Sequence, residues 1–310
     1  MTNEPSDLSA PLIAAVVVGF FPEVDVLQAL LSRLHTQVQQ LYLVDNGGCD
    51  ALDLSALPGC QHIKLDKNYG LGYALNKGFE AANKNGASYV ATFDQDSAPP
   101  DNLIATLFAQ HLLLKNKQIN CAAIGPSFFD RREIKKVYFP FYKEGTKGIQ
   151  TILPQNHMDN TKIVEVDVLI TSGMLIRTDA WLDTLRYDDG MFVDYTDTEW
   201  CFRARDKGYR LFGSTEVQMG HALSDAPPVR LFKLNFFHYS ALRRYYYFRN
   251  TLLICKKPYV SAAWKKRLLT GLALRFIVSL FYESKRWSQF IMMCKGIWAG
   301  LHNKNGAYSK

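Results

Sequence analysis

Asp94-Gln95-Asp96 sets two carboxylates on alternate residues directly after the short apolar run at residues 89–93, YVATF. Hard oxygen donors at that spacing in a turn can share a divalent cation of the Mg²⁺ or Mn²⁺ class. Solvated loop acids are the commoner origin of such a pair; the buried strand expected just before this one favours the metal reading. A second cluster, DYTDTEWCFR at residues 194–203, brings Asp194, Asp197 and Glu199 to the start of a helix. Acids there complement the helix dipole. Equally, a carboxylate held rigidly at a helix start can act as a general base toward a hydroxyl. Residues 68–78, NYGLGYALNKG, open another helix. Asn68, Gly70 and Gly72 leave room for a ligand, and a helix N-terminus favours phosphate. The alternative is a helix packed tightly through its glycines. It is not the dinucleotide fingerprint, because the third residue after Gly72 is Leu75 rather than glycine. His221 stands alone in sequence and gains interest only as a third metal ligand beside Asp94 and Asp96.

These residues need elements to hold them. Residues 12–18 (LIAAVVV) form a continuous β-branched apolar run, which predicts a strand buried on both faces of a parallel sheet. A helical pattern follows at residues 24–34, then a strand at 41–44 ending on Asp45. Leu71, Leu75, Phe79 and Ala82 recur about one turn apart, and YVATF makes the next strand. The alternation predicts an α/β fold with a mainly parallel sheet. Ligands in such sheets bind beyond the carboxyl ends of the strands, which is where Asp45, Asp94 and Asp96 fall. Residues 130–160 read as a loop with Pro140, Gly145, Gly148 and Pro154. Strands are expected at 164–170 and 174–176, and a helix at 197–207 closed by Gly208. Helices are expected at 231–253, 262–284 and 287–301.

Hydrophobic residues make up 48% and charged residues 21%, as in a globular chain. The first ten residues lack the basic and apolar regions of a secretory signal, and six cysteines are scattered with no CxxC spacing. Both features point to a reducing, cytoplasmic compartment. Charge is divided unevenly. Residues 226–310 hold 16 Lys and Arg and one acid, Glu283, whereas the other 225 residues hold 20 basic and 28 acidic groups. Basic clusters interleaved with aromatics in the last third suit an anionic membrane surface. A nucleic-acid partner using Arg243-Arg244-Tyr245-Tyr246-Tyr247 for stacking is the weaker reading. Residues 268–282 are the most apolar stretch, yet they are short and contain Arg275, which favours a surface helix over a membrane span.

Taken in order, VDNGG, NYGLGYALNKG, DQDS, TSGMLIR, DYTDTEWCFRARDKGY and the Gly220-His221 pair resemble the family 2 glycosyltransferases of GT-A fold over about residues 12–225. DQDS, the DTEWC form and HYSALRRYYYFRN at 238–250 are most similar to bacterial rhamnosyltransferases of polysaccharide assembly, O-antigen type. The resemblance implies a Rossmann-like GT-A catalytic domain at 1–225 and a helical, basic, membrane-associating region at 226–310. It also implies transfer from a nucleotide-diphosphate sugar, dTDP-L-rhamnose, to a saccharide acceptor that is lipid-linked, with inversion, a Mn²⁺ or Mg²⁺ ion and a peripheral place on the inner face of the plasma membrane. Asp45 then contacts the donor's base or ribose, and Asp94 lies near ribose and metal. Asp96 binds metal directly, Asp197 is the base, His221 is a further metal ligand and Gly173 lines the donor–acceptor junction. Many relatives carry Glu-Asp where this chain has Thr196-Asp197, so Asp194 or Glu199 could share the base's role. Val18-Gly19-Phe20-Phe21-Pro22 also departs from the family at the end of the first strand. The same family includes galactofuranosyl and hexosyl transferases using UDP-sugars. A non-catalytic nucleotide-sugar-binding protein is a rival of another class.

Overall fold

The computed structural model describes residues 11–130, 137–156, 162–184, 186–221, 229–231, 234–236, 239–282 and 286–309, with backbone only for residues 221, 229–231, 234–236 and 282. The chain opens with β1 (Ile13–Gly19), α1 (Val24–His35), β2 (Gln40–Asp45), β3 (Cys60–Lys64), α2 (Leu71–Lys84), β4 (Tyr89–Asp94), α3 (Leu103–Asn116) and β5 (Cys121–Asp130). It continues through β6 (Tyr138–Phe139), β7 (Phe141–Gly145), β8 (Gly148–Ile152), β9 (Ile163–Val166), β10 (Met174–Arg177), α4 (Thr178–Asp183), α5 (Thr196–Asp206) and β11 (Arg210–His221). It ends with β12 (Val229–Leu231), β13 (Leu234–Phe236), α6 (Ala241–Lys256), α7 (Ala262–Tyr282) and α8 (Arg286–Leu301).

One sheet organises residues 13–221, in the order β3-β2-β1-β4-β10-β5-β11-β9, with β6 paired to β5. Strands β3, β2, β1 and β4 are parallel, and β10 enters antiparallel between β4 and β5. The fold is therefore α/β with a mainly parallel sheet, followed by a helical C-terminal region. β1 is buried along its whole length because alternate residues feed two cores. Ala14, Val16 and Val18 meet Ala74, Leu75 and Phe79 of α2. Ile13, Ala15 and Val17 meet Leu27, Leu31 and Leu34 of α1 and Leu103 and Leu107 of α3. α2 presses close to β1: a Cβ on Gly78 would come within 2.3 Å of Val16 Cγ1.

The carboxyl ends of three strands line up. Gly19 of β1 is in register with Asp45 of β2, and Val18 with Asp94 of β4. The chain leaves β1 toward β2 and β3 on one side and returns to β4 on the other, which makes a crevice at that switch point.

Several expectations change. Residues 141–152, read as loop, are the β7–β8 hairpin, turning at Gly148 (φ 111°). The strand expected at 164–170 ends at Val166, and the helix expected from 231 begins at Ala241. Residues 229–231 and 234–236 form the β12–β13 pairing in its place. All six cysteines are free.

Candidate active site

Asp45 is buried at the end of β2, where its Oδ1 accepts from the Gly47 amide at 2.8 Å and its Oδ2 lies 3.4 Å from His62 Nε2. Next to it, Asn46 Nδ2 donates to Asn68 Oδ1 at 3.0 Å, and Asn68 Oδ1 also accepts from the Gly70 amide at 2.8 Å. The Asn68–Gly70 turn is thereby tied to the end of β2. Gly70 sits at φ 91°, and a Cβ there would meet the Phe192 carbonyl oxygen at 2.5 Å. A Cβ on Gly72 would meet the Asp188 carbonyl oxygen at 3.1 Å. The glycines of this segment thus have packing partners within the protein, on the loop that leads to α5.

β4 delivers Asp94, whose Oδ2 accepts from Ser172 Oγ at 2.6 Å. Ser97 Oγ lies 3.0 Å from Ser172 Oγ and can donate to it. Asp96 is half-buried, with no hydrogen bond or ion pair among the described residues, so its oxygens are open to a cation. Ala98 forms an isolated bridge with Gly220, which brings the backbone beside His221 to the Asp94–Asp96 turn. The His221 side chain lies outside the described residues, among which no three His, Cys, Asp or Glu side chains form a metal cluster. The open carboxylate of Asp96 and the strand-end Asp94 fit a hard divalent ion, and His221 follows the bridged Gly220 in the chain.

The base candidate is tied to the same turn. Asp197, at the first turn of α5, accepts from the Thr171 amide at 3.0 Å on Oδ2 and from the Thr198 amide at 2.6 Å on Oδ1. Burial pushes its carboxyl up to about 6, against the two amide hydrogen bonds, and the negative Asp94 adds to the rise. Consecutive residues therefore join the two acids: Thr171 holds Asp197 and Ser172 holds Asp94. Gly173 (φ 73°) makes this turn possible, and its amide donates to the Thr92 carbonyl of β4 at 2.7 Å.

The other two acids are occupied. Glu199 is buried and receives Arg203 Nε at 2.9 Å, Arg203 Nη2 at 2.7 Å and the Tyr259 hydroxyl. Asp194 pairs with Arg243 at 3.1 Å. At the mouth, Phe20 and Phe21 are exposed beside the Gly47-Gly48 turn, and the Phe20 amide donates to Gln95 Oε1 at 2.6 Å.

Sequence reasoning missed the support for Asp197. Phe192, Asp194 and Tyr195 all lie at φ between 59° and 66°, a costly run of left-handed residues before α5. α6 holds it. Asn250 Nδ2 donates to the carbonyls of Met191, Val193 and Asp194 at 2.7–3.0 Å. Arg249, fully buried, donates to Gly190 and Met191 carbonyls, and Thr251 Oγ1 donates to the Tyr195 hydroxyl. From the opposite side Asn76 of α2 donates to the Tyr187 carbonyl at 3.0 Å and to Asp189 at 2.7 Å. The signal was present in HYSALRRYYYFRN as an Arg-Asn pair inside a helix, flanked by aromatics. Arg244, Tyr245 and Tyr246 are buried too, whereas Arg243 and Tyr247 are half-buried.

Residues 15–181 match the family described as Glycosyl transferase family 2. The chain is 30% identical over 250 residues to dTDP-rhamnosyl transferase RfbF of Shigella flexneri, covering 80% of this chain and 81% of that protein. Among solved structures it is similar to S. aureus TarS 1-349 in complex with UDP-GlcNAc, with a TM-score of 0.55 at 13% identity over 93% of this chain and 81% of that one. It is also similar to GalNAc-T7 with UDP, GalNAc and Mn²⁺, with a TM-score of 0.51 at 13% identity over 86% of this chain and 55% of that one. These two likenesses concern the fold.

Proposed function

This chain belongs to glycosyl transferase family 2, and from that membership we propose that it moves L-rhamnose from dTDP-L-rhamnose to a lipid-linked saccharide acceptor, inverting the anomeric centre, in the making of a cell-surface polysaccharide of O-antigen type. The donor sugar rests on the likeness to the Shigella flexneri enzyme. The observation that carries the reaction is the Thr171-Ser172 turn, which holds a strand-end acid and a desolvated acid on adjacent residues.

In this reading Asp45 and the exposed Phe20 and Phe21 receive the donor's nucleoside, and Asn68 and Gly70 act through Asn46 to fix that wall. Asp94, Asp96 and His221 would hold the divalent ion. When bound, Mn²⁺ or Mg²⁺ supplies positive charge against the diphosphate leaving group. Gly173, whose φ of 73° lets the chain turn against Pro126 and Leu103, shapes the junction between donor and acceptor. Asp197 takes the proton of the acceptor hydroxyl as that oxygen attacks the anomeric carbon from the face opposite the diphosphate. A carboxyl near 6 is ionised at neutral pH yet basic enough to accept a proton in the transition state. Residues 1–225 carry the catalytic groups, and 226–310 work on the cytoplasmic face of the membrane that holds the acceptor.

The test is mass spectrometry of products from dTDP-, UDP- and GDP-sugars offered with a lipid-linked acceptor. We expect a mass gain of one deoxyhexose from dTDP-L-rhamnose. Transfer of a hexose or galactofuranose from a UDP-sugar, with none from dTDP-rhamnose, would reassign the donor. No transfer from any donor would leave a binding protein.

A further inference from the structure

α7 and α8 pack against α6 through one side of each helix. α8 comes closest: a Cβ on Gly296 would meet the Tyr245 carbonyl oxygen at 2.5 Å, and one on Gly300 would meet that of Arg249 at 2.9 Å. The opposite side of α8 presents Trp287, Ile291, Trp298 and Leu301 to solvent, each at least half exposed. Their spacing of four, seven and three residues is that of a single helical stripe. α7 adds Leu269, Leu274, Ile277 and Phe281, also exposed. Large apolar side chains on a soluble surface are usually scattered singly; here, among the described residues, eight share two helices that touch.

The rim of this face is basic. Lys266 on α7 and Arg286 on α8 are exposed, and neither helix contains an acid. The region 226–310 has 16 basic residues to one acid. That charge repels a second copy of the same face and complements an anionic surface. Tryptophans at the edge of an aliphatic stripe suit the headgroup boundary, with leucine and isoleucine reaching the acyl chains. No helix among the described residues is long and apolar enough to cross a membrane. We propose that the exposed α7–α8 face, centred on Trp287, Ile291, Trp298 and Phe281, docks the protein in the plane of an anionic phospholipid surface.

The surface is narrower than the sequence suggested. Tyr245, Tyr246, Phe248 and Trp264 are buried, and Lys256 donates to the Gly300 and Leu301 carbonyls. Phe237 and Lys285 lie outside the described residues, as does the side chain of Phe236. The inference rests on the membrane placement proposed above and assigns it a face, and its test needs no donor or acceptor.

That test is vesicle sedimentation with the full chain, using phosphatidylglycerol-containing or pure phosphatidylcholine vesicles, read together with tryptophan emission. Trp181, Trp200 and Trp264 are buried, so a shift on binding reports Trp287 and Trp298. We expect preference for the anionic vesicles, weakening with salt, and a blue shift. Each basic residue near the surface is worth roughly five-fold in affinity, so Lys266→Gln with Arg286→Gln should weaken binding roughly ten- to thirty-fold. Trp287→Ser with Trp298→Ser should lose both binding and shift while keeping the wild-type melting curve. Equal binding to both vesicle types, binding without a shift, or unchanged binding by the tryptophan variant would overturn the proposal. So would a stable dimer in sedimentation that the tryptophan variant dissolves, since the face would then join two copies.

Discussion

Asp197 is held by two backbone amides yet desolvated enough that its carboxyl is pushed up to about 6. A base works in its ionised form, so kcat/KM should rise through about pH 6 and level off above it. Asp197→Asn should remove that limb and lower kcat about 10²–10⁴-fold, with the donor KM little changed. The same shift has a consequence for stability. A carboxyl raised above its ordinary value binds its proton more tightly in the native state. Its contribution is complete below the unfolded value near 4 and is lost as pH rises through about 6. In metal-free protein, Asp197→Asn should therefore melt above wild type at alkaline pH, with the gap closing toward about pH 4; a lower Tm for the variant across that range would count against this account. Replacing Glu199 should lower stability instead. Both its oxygens serve Arg203 and Tyr259, so Glu199→Gln should cost about 3–5 kcal/mol of stability and leave the acid limb near pH 6 in place. If Glu199→Gln abolishes that limb instead, the base is Glu199. Chelation should abolish transfer and Mn²⁺ or Mg²⁺ restore it, whereas Asp96→Asn should need far more metal for the same rate. Full activity in chelator, with protein verified free of metal, would refute the ion's role.

At the scale of elements, α6 does what the sequence did not disclose. Asn250 gives one side-chain nitrogen to three carbonyls of a left-handed turn, so Asn250→Ala should free that turn and admit water to Asp197. The expected readout is kcat falling more than KM, together with the acid limb moving below pH 6 toward an ordinary carboxylate; a loss of stability with an unmoved limb would make Asn250 a packing residue only. Other elements were legible because their signals are local. β1 declares itself through an unbroken β-branched run, and α5 through its first-turn acids and the glycine that closes it, Gly208 at φ 84°. β5 is harder to see, because Gly125-Pro126 reads locally as a turn. The structure absorbs it through irregular pairing: β11 shifts register between Gly213 and Gln218, opposite Gly125 and Ser127. The β7–β8 hairpin is short and half exposed, which weakens the alternation that marks a strand. Asp45, Asp94, Asp96 and Asp197 were readable because strand ends and helix starts can be located from sequence. The Thr171-Ser172 link between two of them depends on β10 inserting beside β4, a long-range pairing with no local mark.

At the scale of the whole molecule, the family match ends at residue 181, before Asp197 and before the helix that supports it. The C-terminal region thus has two attachments to function, and they make different predictions. If residues 226–310 served only to bring the enzyme to a membrane, a fragment of residues 1–225 would keep its rate on a water-soluble acceptor and lose it only on a lipid-borne one. The packing argues otherwise. Met191 and Phe202 share a core with Leu253, Ile254 and Trp264, so the fragment would expose that apolar surface. The carbonyls of Gly190, Met191, Val193 and Asp194 would also lose their Arg249 and Asn250 donors. Unmade hydrogen bonds in such a place cost about 1–3 kcal/mol each, comparable with the strain of the left-handed run they offset. The turn should relax and carry Asp197 away from Thr171. We therefore expect the fragment to aggregate or, if soluble, to melt lower and lose at least about 10²-fold in kcat on a soluble acceptor, the loss expected for an unpositioned base. Trp287→Ser with Trp298→Ser in the full chain should do the reverse, keeping the rate on the soluble acceptor and losing it on vesicle-borne acceptor. A soluble 1–225 fragment with wild-type kcat on the soluble acceptor would separate α6 from catalysis and leave the C-terminal helices a membrane anchor alone.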